Sequence, residues 1–134
     1  MPNHCHNRVE IYGEPEELAK IKKQVKTKET LFDFTKIYPE PDYEKIEVTP
    51  TFEKDEEDDF RMPSWWDWRV QNWGTKWNSY ECDLELDDLD MLRYTFDTAW
   101  GPPVGVIDKL RELYPEVSVT AFYDEPGMEV AGYL

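Results

Sequence analysis

Residues 80–97 carry the strongest structural instruction in the chain. Tyr80, Cys82, Leu84 and Leu86 alternate with Glu81, Asp83 and Glu85. Leu92, Tyr94 and Phe96 then alternate with Arg93, Thr95 and Asp97. A period of two demands extended backbone with one face buried. Asp87-Asp88 between the runs can turn the chain, so the two strands pair antiparallel. A lone hairpin is marginal in water and needs a covering layer.

That layer is predicted on either side. Glu14-Pro15-Glu16-Glu17 opens a helix, with proline at an early position and acids in the first turn. Leu18, Ile21 and Val25 form its apolar stripe, and it fades near Thr27 to Glu29. Gly101-Pro102-Pro103 opens a second helix, with Val106, Ile107, Leu110, Leu113 and Tyr114 inward and Pro115 at its end. Strands are predicted over Arg8–Tyr12, Val117–Tyr123 and Met128–Tyr133, the last two joined by an Asp124–Gly127 turn. Phe32 and Phe34 sit on one side of Leu31–Ile37, which reads as a further strand stopped by Pro39 and Pro41. Ser64 as N-cap, Asp67 as its capping-box partner and Gly74 at C′ predict a short helix over 65–73.

Two β-α-β units follow from this order. The fold class is therefore α+β: a ferredoxin-like split β-α-β, with an antiparallel sheet and two long helices on one face. The 134 residues fit a single domain over 1–134 with its own core. Residues 38–64, with four prolines, read as a long acidic surface insertion.

The net charge is −15, and it is unevenly placed. Residues 40–59 hold ten acids and two bases, and residues 81–90 hold six acids and no base. Residues 60–80 hold three bases and one acid. Such a balance argues against direct binding of duplex DNA. No apolar run approaches the roughly 20 residues of a membrane span, and the start carries no secretory leader pattern. Cys5 and Cys82 are too few for a disulfide framework. The expectation is a cytoplasmic protein with reduced thiols and no membrane partner.

Three motifs carry a resemblance. They are Met1-Pro2-Asn3-x-Cys5-x-Asn7, Trp73-Gly74-Thr75-Lys76-Trp77, and Phe96-x-Thr98-Ala99-Trp100-x-Pro102-Pro103. Tyr123-x-Glu125-x-Gly127 and Gly132-Tyr133 accompany them. Together they resemble the YubB ferredoxin-like family of small proteins carried by phages and plasmids. The resemblance implies a ferredoxin-like fold and a mobile-element setting, and no reaction. His4 stands where the family pattern leads one to expect Trp, and the acidic insertion around 53–59 departs from it.

Five of six tryptophans fall within 65–77, interleaved with Arg69 and Lys76. They read as a stacking platform for a ligand or partner, or as sheet-covering core. In a combined reading, Trp65 and Trp68 are exposed while Trp66, Trp73 and Trp77 pack. Trp100 is expected beside the Trp73–Trp77 segment. The binding candidates are Trp65, Trp68, Arg69, Trp73, Thr75, Lys76, Trp77 and Trp100. The helix start after Trp100 could hold an anion, but Pro102 and Pro103 lack N–H donors, so a structural turn is preferred.

Asp55, Glu56, Glu57, Asp58 and Asp59 form one acidic candidate surface, and Glu81, Asp83, Glu85, Asp87, Asp88 and Asp90 another. Strand neighbours of like charge lie about 7 Å apart. The acids form a solvated face, or a surface that meets a basic partner or imitates phosphates. Asp87-Asp88-x-Asp90 lacks the glycine and distal Glu of a calcium loop. His4-Cys5-His6 lacks paired ligands elsewhere, so no metal or cofactor is expected. No nucleophile elbow or phosphate loop is present, and no catalytic residue is nominated.

The first reading is a non-catalytic interaction module with a protein partner. An acidic mimic that occupies a nucleic-acid-binding protein is the alternative. A third reading is a small-molecule binder or enzyme with a pocket beside Trp73, Trp77 and Trp100, lined by Asn72, Thr75, Lys76 and Asp97.

Overall fold

The computed structural model describes residues 3–50 and 62–134. The Asp55–Asp59 run therefore lies outside the described residues, as does Arg61. Among the described residues five strands form one sheet: β1 (His4–Tyr12), β2 (Tyr80–Asp87), β3 (Met91–Ala99), β4 (Ser118–Glu125) and β5 (Val130–Tyr133). The α-helices among the described residues are α1 (Pro15–Gln24), α2 (Phe34–Ile37), α3 (Ser64–Asn72) and α4 (Val104–Leu113).

The sheet order is β2-β3-β1-β4-β5, with each neighbouring pair antiparallel. β1 and β2 flank β3, and β3 and β4 flank β1, which is the split β-α-β arrangement of a ferredoxin-like fold. β5 extends the sheet beyond β4.

Alternation decides which face meets the helices. Val9 and Ile11, Leu92, Tyr94 and Phe96, and Val119 and Ala121 are buried in one core with Leu18 and Ile21 of α1 and Val106, Ile107 and Leu110 of α4. The opposite face is polar. Its registered neighbours include His6 with Asp97 and Glu10 with Arg93.

The strand expected over Leu31–Ile37 is absent. Phe32 and Phe34 are both buried, but the chain bends between them into α2. The Asp33 carboxylate accepts from the Thr35 N–H at 2.9 Å and caps α2. Phe32 stacks on Phe96 at 5.0 Å, and Phe34 meets Trp73 edge-on at 5.5 Å. A side-chain cap thus outcompeted the extended conformation. Burial on more than one side removed the meaning of the alternation.

α1 ends earlier than predicted, at Gln24 with Val25 as C-cap. α3 begins one residue early: Pro63, not Ser64, is the N-cap, and no side-chain cap bond forms. Gly74 does terminate this helix, at φ +92° with its N–H on the Arg69 carbonyl. Leu113 of α4 is exposed rather than inward.

Candidate functional site

The motif residues converge at one end of the sheet, where β1 begins and β3 ends. Asn7 is buried and donates to the Cys5 carbonyl at 3.1 Å and to Thr98 Oγ1 at 2.9 Å. Thr98 Oγ1 in turn donates to the Gly101 carbonyl at 2.6 Å. Thr75 Oγ1 donates to the Ala99 carbonyl at 2.8 Å, and the Gly105 N–H donates to Trp73 O at 3.0 Å. These bonds make the Trp73–Trp77 and Thr98–Pro103 segments neighbours. The Gly101-Pro102-Pro103 stretch is a turn with internal bonds, Gly101 N–H to Ala99 O and Val104 N–H to Pro102 O, both 2.9 Å. Buried polar groups that are fully satisfied specify one arrangement.

The tryptophans divide differently from the expected pattern. Trp73 is 0% exposed, and its indole N–H donates to the Tyr38 carbonyl at 2.9 Å. Trp68 is half-buried against Tyr38 and Trp73 rather than exposed. Trp66 is also half-buried. Trp77, expected to pack, is 39% exposed, and Trp100 is 50% exposed. Trp65 lies at the surface over Arg69. Arg69 is half-buried between the Trp65 and Trp73 rings, at 5.1 and 4.9 Å, and its Nε pairs with Glu40. Its Nη1 donates to the Lys76 carbonyl at 3.2 Å. Arg69 therefore ties α3 to the segment after it, while Trp73 and Thr75 support the surface from below.

What remains outward is a short aromatic chain. Lys76 Nζ lies 4.5 Å over the Trp77 ring. Trp77 meets Tyr80 edge-on at 6.4 Å, and Tyr80 meets His4 at 5.7 Å. His4 Nδ1 and Tyr80 Oη are hydrogen bonded at 2.6 Å. His4 thus fills its position as an aromatic partner of Tyr80. Burial, with help from the Asp97 charge, raises the Tyr80 phenol above its ordinary value. Beside it, His6 Nδ1 and Asp97 Oδ1 lie 2.6 Å apart. Trp100 adds a third aromatic surface at this end. It adopts φ +69°, and its N–H donates to Asn3 O at 2.8 Å. A non-glycine residue there is strained, and the surrounding bonds hold it. Sequence pattern alone missed His4 and Tyr80 as partners of Trp77. The His4–Tyr80 pairing depends on β1 and β2 both flanking β3, a long-range fact.

Cys5 lies under this end, fully buried. Its thiol pKa is pushed up to about 11, first by burial and then by Glu125, Asp124 and Asp97, against a lowering bond with Thr98. Among the described residues no group of three or more His, Cys, Asp or Glu side chains is placed to hold a metal ion. No helix among them is long and apolar enough to cross a membrane.

The strand acids do not form one outer face. Register shifts fall between Tyr80 and Asp83 and between Leu84 and Leu86. Glu81, at φ +51°, sits in the first irregularity. Glu85 meets Arg93 at 3.3 Å on the open face, whereas Asp87 pairs with Lys22 of α1 at 2.8 Å. Asp88 and Asp90 belong to the hairpin turn, closed by Asp88 N–H to Met91 O at 2.9 Å.

With the fold placed, comparison with known proteins adds one finding. Residues 72–134 match the family model of the ferredoxin-like domain in Api92-like protein. The matched span runs from the end of α3 through β2, β3, α4, β4 and β5, and leaves β1, α1 and α2 outside. A crystal structure of the protein api92 from Yersinia pseudotuberculosis is also similar, at 22% identity and TM-score 0.48. That alignment covers 54% of this chain and 26% of api92. No curated protein matches the chain.

Proposed function

We propose that this chain is a non-catalytic interaction module of a mobile genetic element, which takes a protein or small ligand on its exposed aromatic end. The observation that carries this reading is the run Lys76–Trp77–Tyr80–His4, with Trp100 beside it at the same end of the sheet. The core is already filled by Trp73, Phe32, Phe34 and Phe96, so these outer rings are not needed to close it. Half-exposed aromatic rings beside a cation are the residue types that dominate binding energy at interfaces. The phage or plasmid setting rests on the resemblance of the motifs to the YubB family.

The acidic-mimic reading receives less support, because Glu85 and Asp87 are neutralised by Arg93 and Lys22 and face different sides. A pocket centred on Trp73 is disfavoured by the complete burial of that ring.

The test uses the whole chain as bait in bacterial lysate at low and high salt, beside Trp77→Ala and Trp100→Ala. A partner retained at high salt by the natural chain and lost by both variants supports the reading. Capture that survives both substitutions, or that disappears at high salt with all three baits, refutes it.

A further inference from the structure

A second cavity is lined by the end of α1 and by residues of β2 and β3. We propose that the groove between the end of α1 and the sheet edge binds a small organic anion with an apolar body. It encloses about 680 Å³, within the range of small-molecule sites. Leu31, Leu84 and Tyr94 line its apolar part. Lys22, Lys23, Lys26 and Lys28 also line it.

Charge supports an anion. In a chain of net charge −15, four lysines share this groove with a single carboxylate, Asp87. Asp87 is committed to Lys22 at 2.8 Å. Lys23, Lys26 and Lys28 have no carboxylate partner among the described residues. The helix dipole accounts for Lys22 and Lys23 in the last turn of α1. It does not account for Lys26 and Lys28, which lie beyond the helix end.

Tyr94 is the independent observation. It is 1% exposed, lines this groove, and its Oη meets no hydrogen-bond partner among the described residues. Buried polar groups are nearly always partnered, because leaving one unmade is costly. Its ring is fixed by Phe32 at 5.1 Å, so the hydroxyl cannot swing out to water. Four of the eight other residues lining the groove are lysines, whose long stems move at low cost. A ligand oxygen that reaches the groove floor would satisfy the phenol while lysine ammoniums hold the anionic head.

The experiment titrates the whole chain with 8-anilinonaphthalene-1-sulfonate, and separately with neutral N-phenyl-1-naphthylamine, which has the same apolar body. The expected result is one sulfonate probe per chain, with the neutral probe at least about tenfold weaker. Lys26→Gln/Lys28→Gln, at exposed positions, should weaken the sulfonate probe by about tenfold without lowering Tm. Tyr94→Phe should weaken it several-fold and leave Tm unchanged or higher, since it removes an unpartnered hydroxyl. Equal binding of both probes, several sites per chain, or indifference to the lysine substitutions would overturn the proposal. So would a Tm lowered by Tyr94→Phe, which would mean that the hydroxyl has a partner already. Trp77→Ala should leave probe binding unchanged, so this site and the aromatic end stand or fall separately.

Discussion

At Gly105, α4 packs directly on the backbone at the end of α3, and Gly105→Ala tests how that helix is seated. A Cβ at Gly105 would lie 1.5 Å from the Asn72 carbonyl oxygen, 2.7 Å from its carbon and 3.4 Å from Trp73 Cα. These are backbone atoms, which cannot rotate away. Restoring ordinary contact near 3.5 Å requires the two segments to part by about 2 Å. That movement breaks the Gly105 N–H bond to Trp73 O and loosens the setting of Trp73 against Phe34 and Trp68. Overpacking costs about 1–3 kcal/mol and the lost bond about 1 kcal/mol. Alanine returns about 0.5–1 kcal/mol of helix preference. The net is a loss of about 1–3.5 kcal/mol, or a fall in Tm of roughly 3–18 °C for a chain of this size. Urea unfolding followed by tryptophan fluorescence measures it. Gly101→Ala is the control, since a Cβ there meets nothing within 4 Å. If Gly105→Ala unfolds at the wild-type urea midpoint with an unchanged slope, the close approach of α3 and α4 is wrong.

Three further outcomes are expected. Burial pushes the Asp33 carboxyl up, but hydrogen bonds from Thr27, Thr35 and Asn78 outweigh it and hold its pKa below the ordinary value. A depressed folded-state pKa gives stability that is present above about pH 4 and lost as pH falls through the folded value. Urea midpoints of the natural chain should therefore drop more steeply below about pH 4 than those of Asp33→Asn, and parallel curves would contradict this. Asn78 accepts from the Phe34 and Ser79 N–H groups at 2.9 and 2.8 Å and donates to Asp33 at 2.9 Å. Asn78→Ala should cost about 2–3 kcal/mol by chemical denaturation, because it leaves several partners unmade at once. Cys5, with its pKa near 11, should be about a thousandth thiolate at pH 8 and should label with iodoacetamide only on unfolding. Rapid native-state labelling at Cys5, located by mass spectrometry, would show that its burial is overstated.

Period-two alternation was sufficient to locate β2, β3 and their turn, because most of each strand has one wet face and one dry face. Spacing along the helices was sufficient for α1 and α4 for the same reason. These local signals, taken in order, led to the ferredoxin-like fold. They failed over Leu31–Ile37, where Phe32, Asp33 and Phe34 are all buried and a carboxylate cap sets the backbone. A pattern read as two faces has no meaning when both are inside.

The candidate sites were legible only in part. The clustering of tryptophans near a cation was visible in the chain, but which rings face water was not. Trp73 is buried because it fills the gap between Phe34, Trp68 and the turn after β3, whereas Trp77 lies past the helix end. His4 and Tyr80 meet across three strands although they are 76 positions apart. Bulges in β2 divided acids that looked continuous, sending Glu85 to Arg93 and Asp87 to Lys22. The lysine groove combines the end of α1 with residues from β2 and β3, so no local window contains it. Strand and helix identity were local properties here, fixed by one-dimensional periodicity. Which polar groups were satisfied, and which were left without a partner, was decided by contacts distant in sequence.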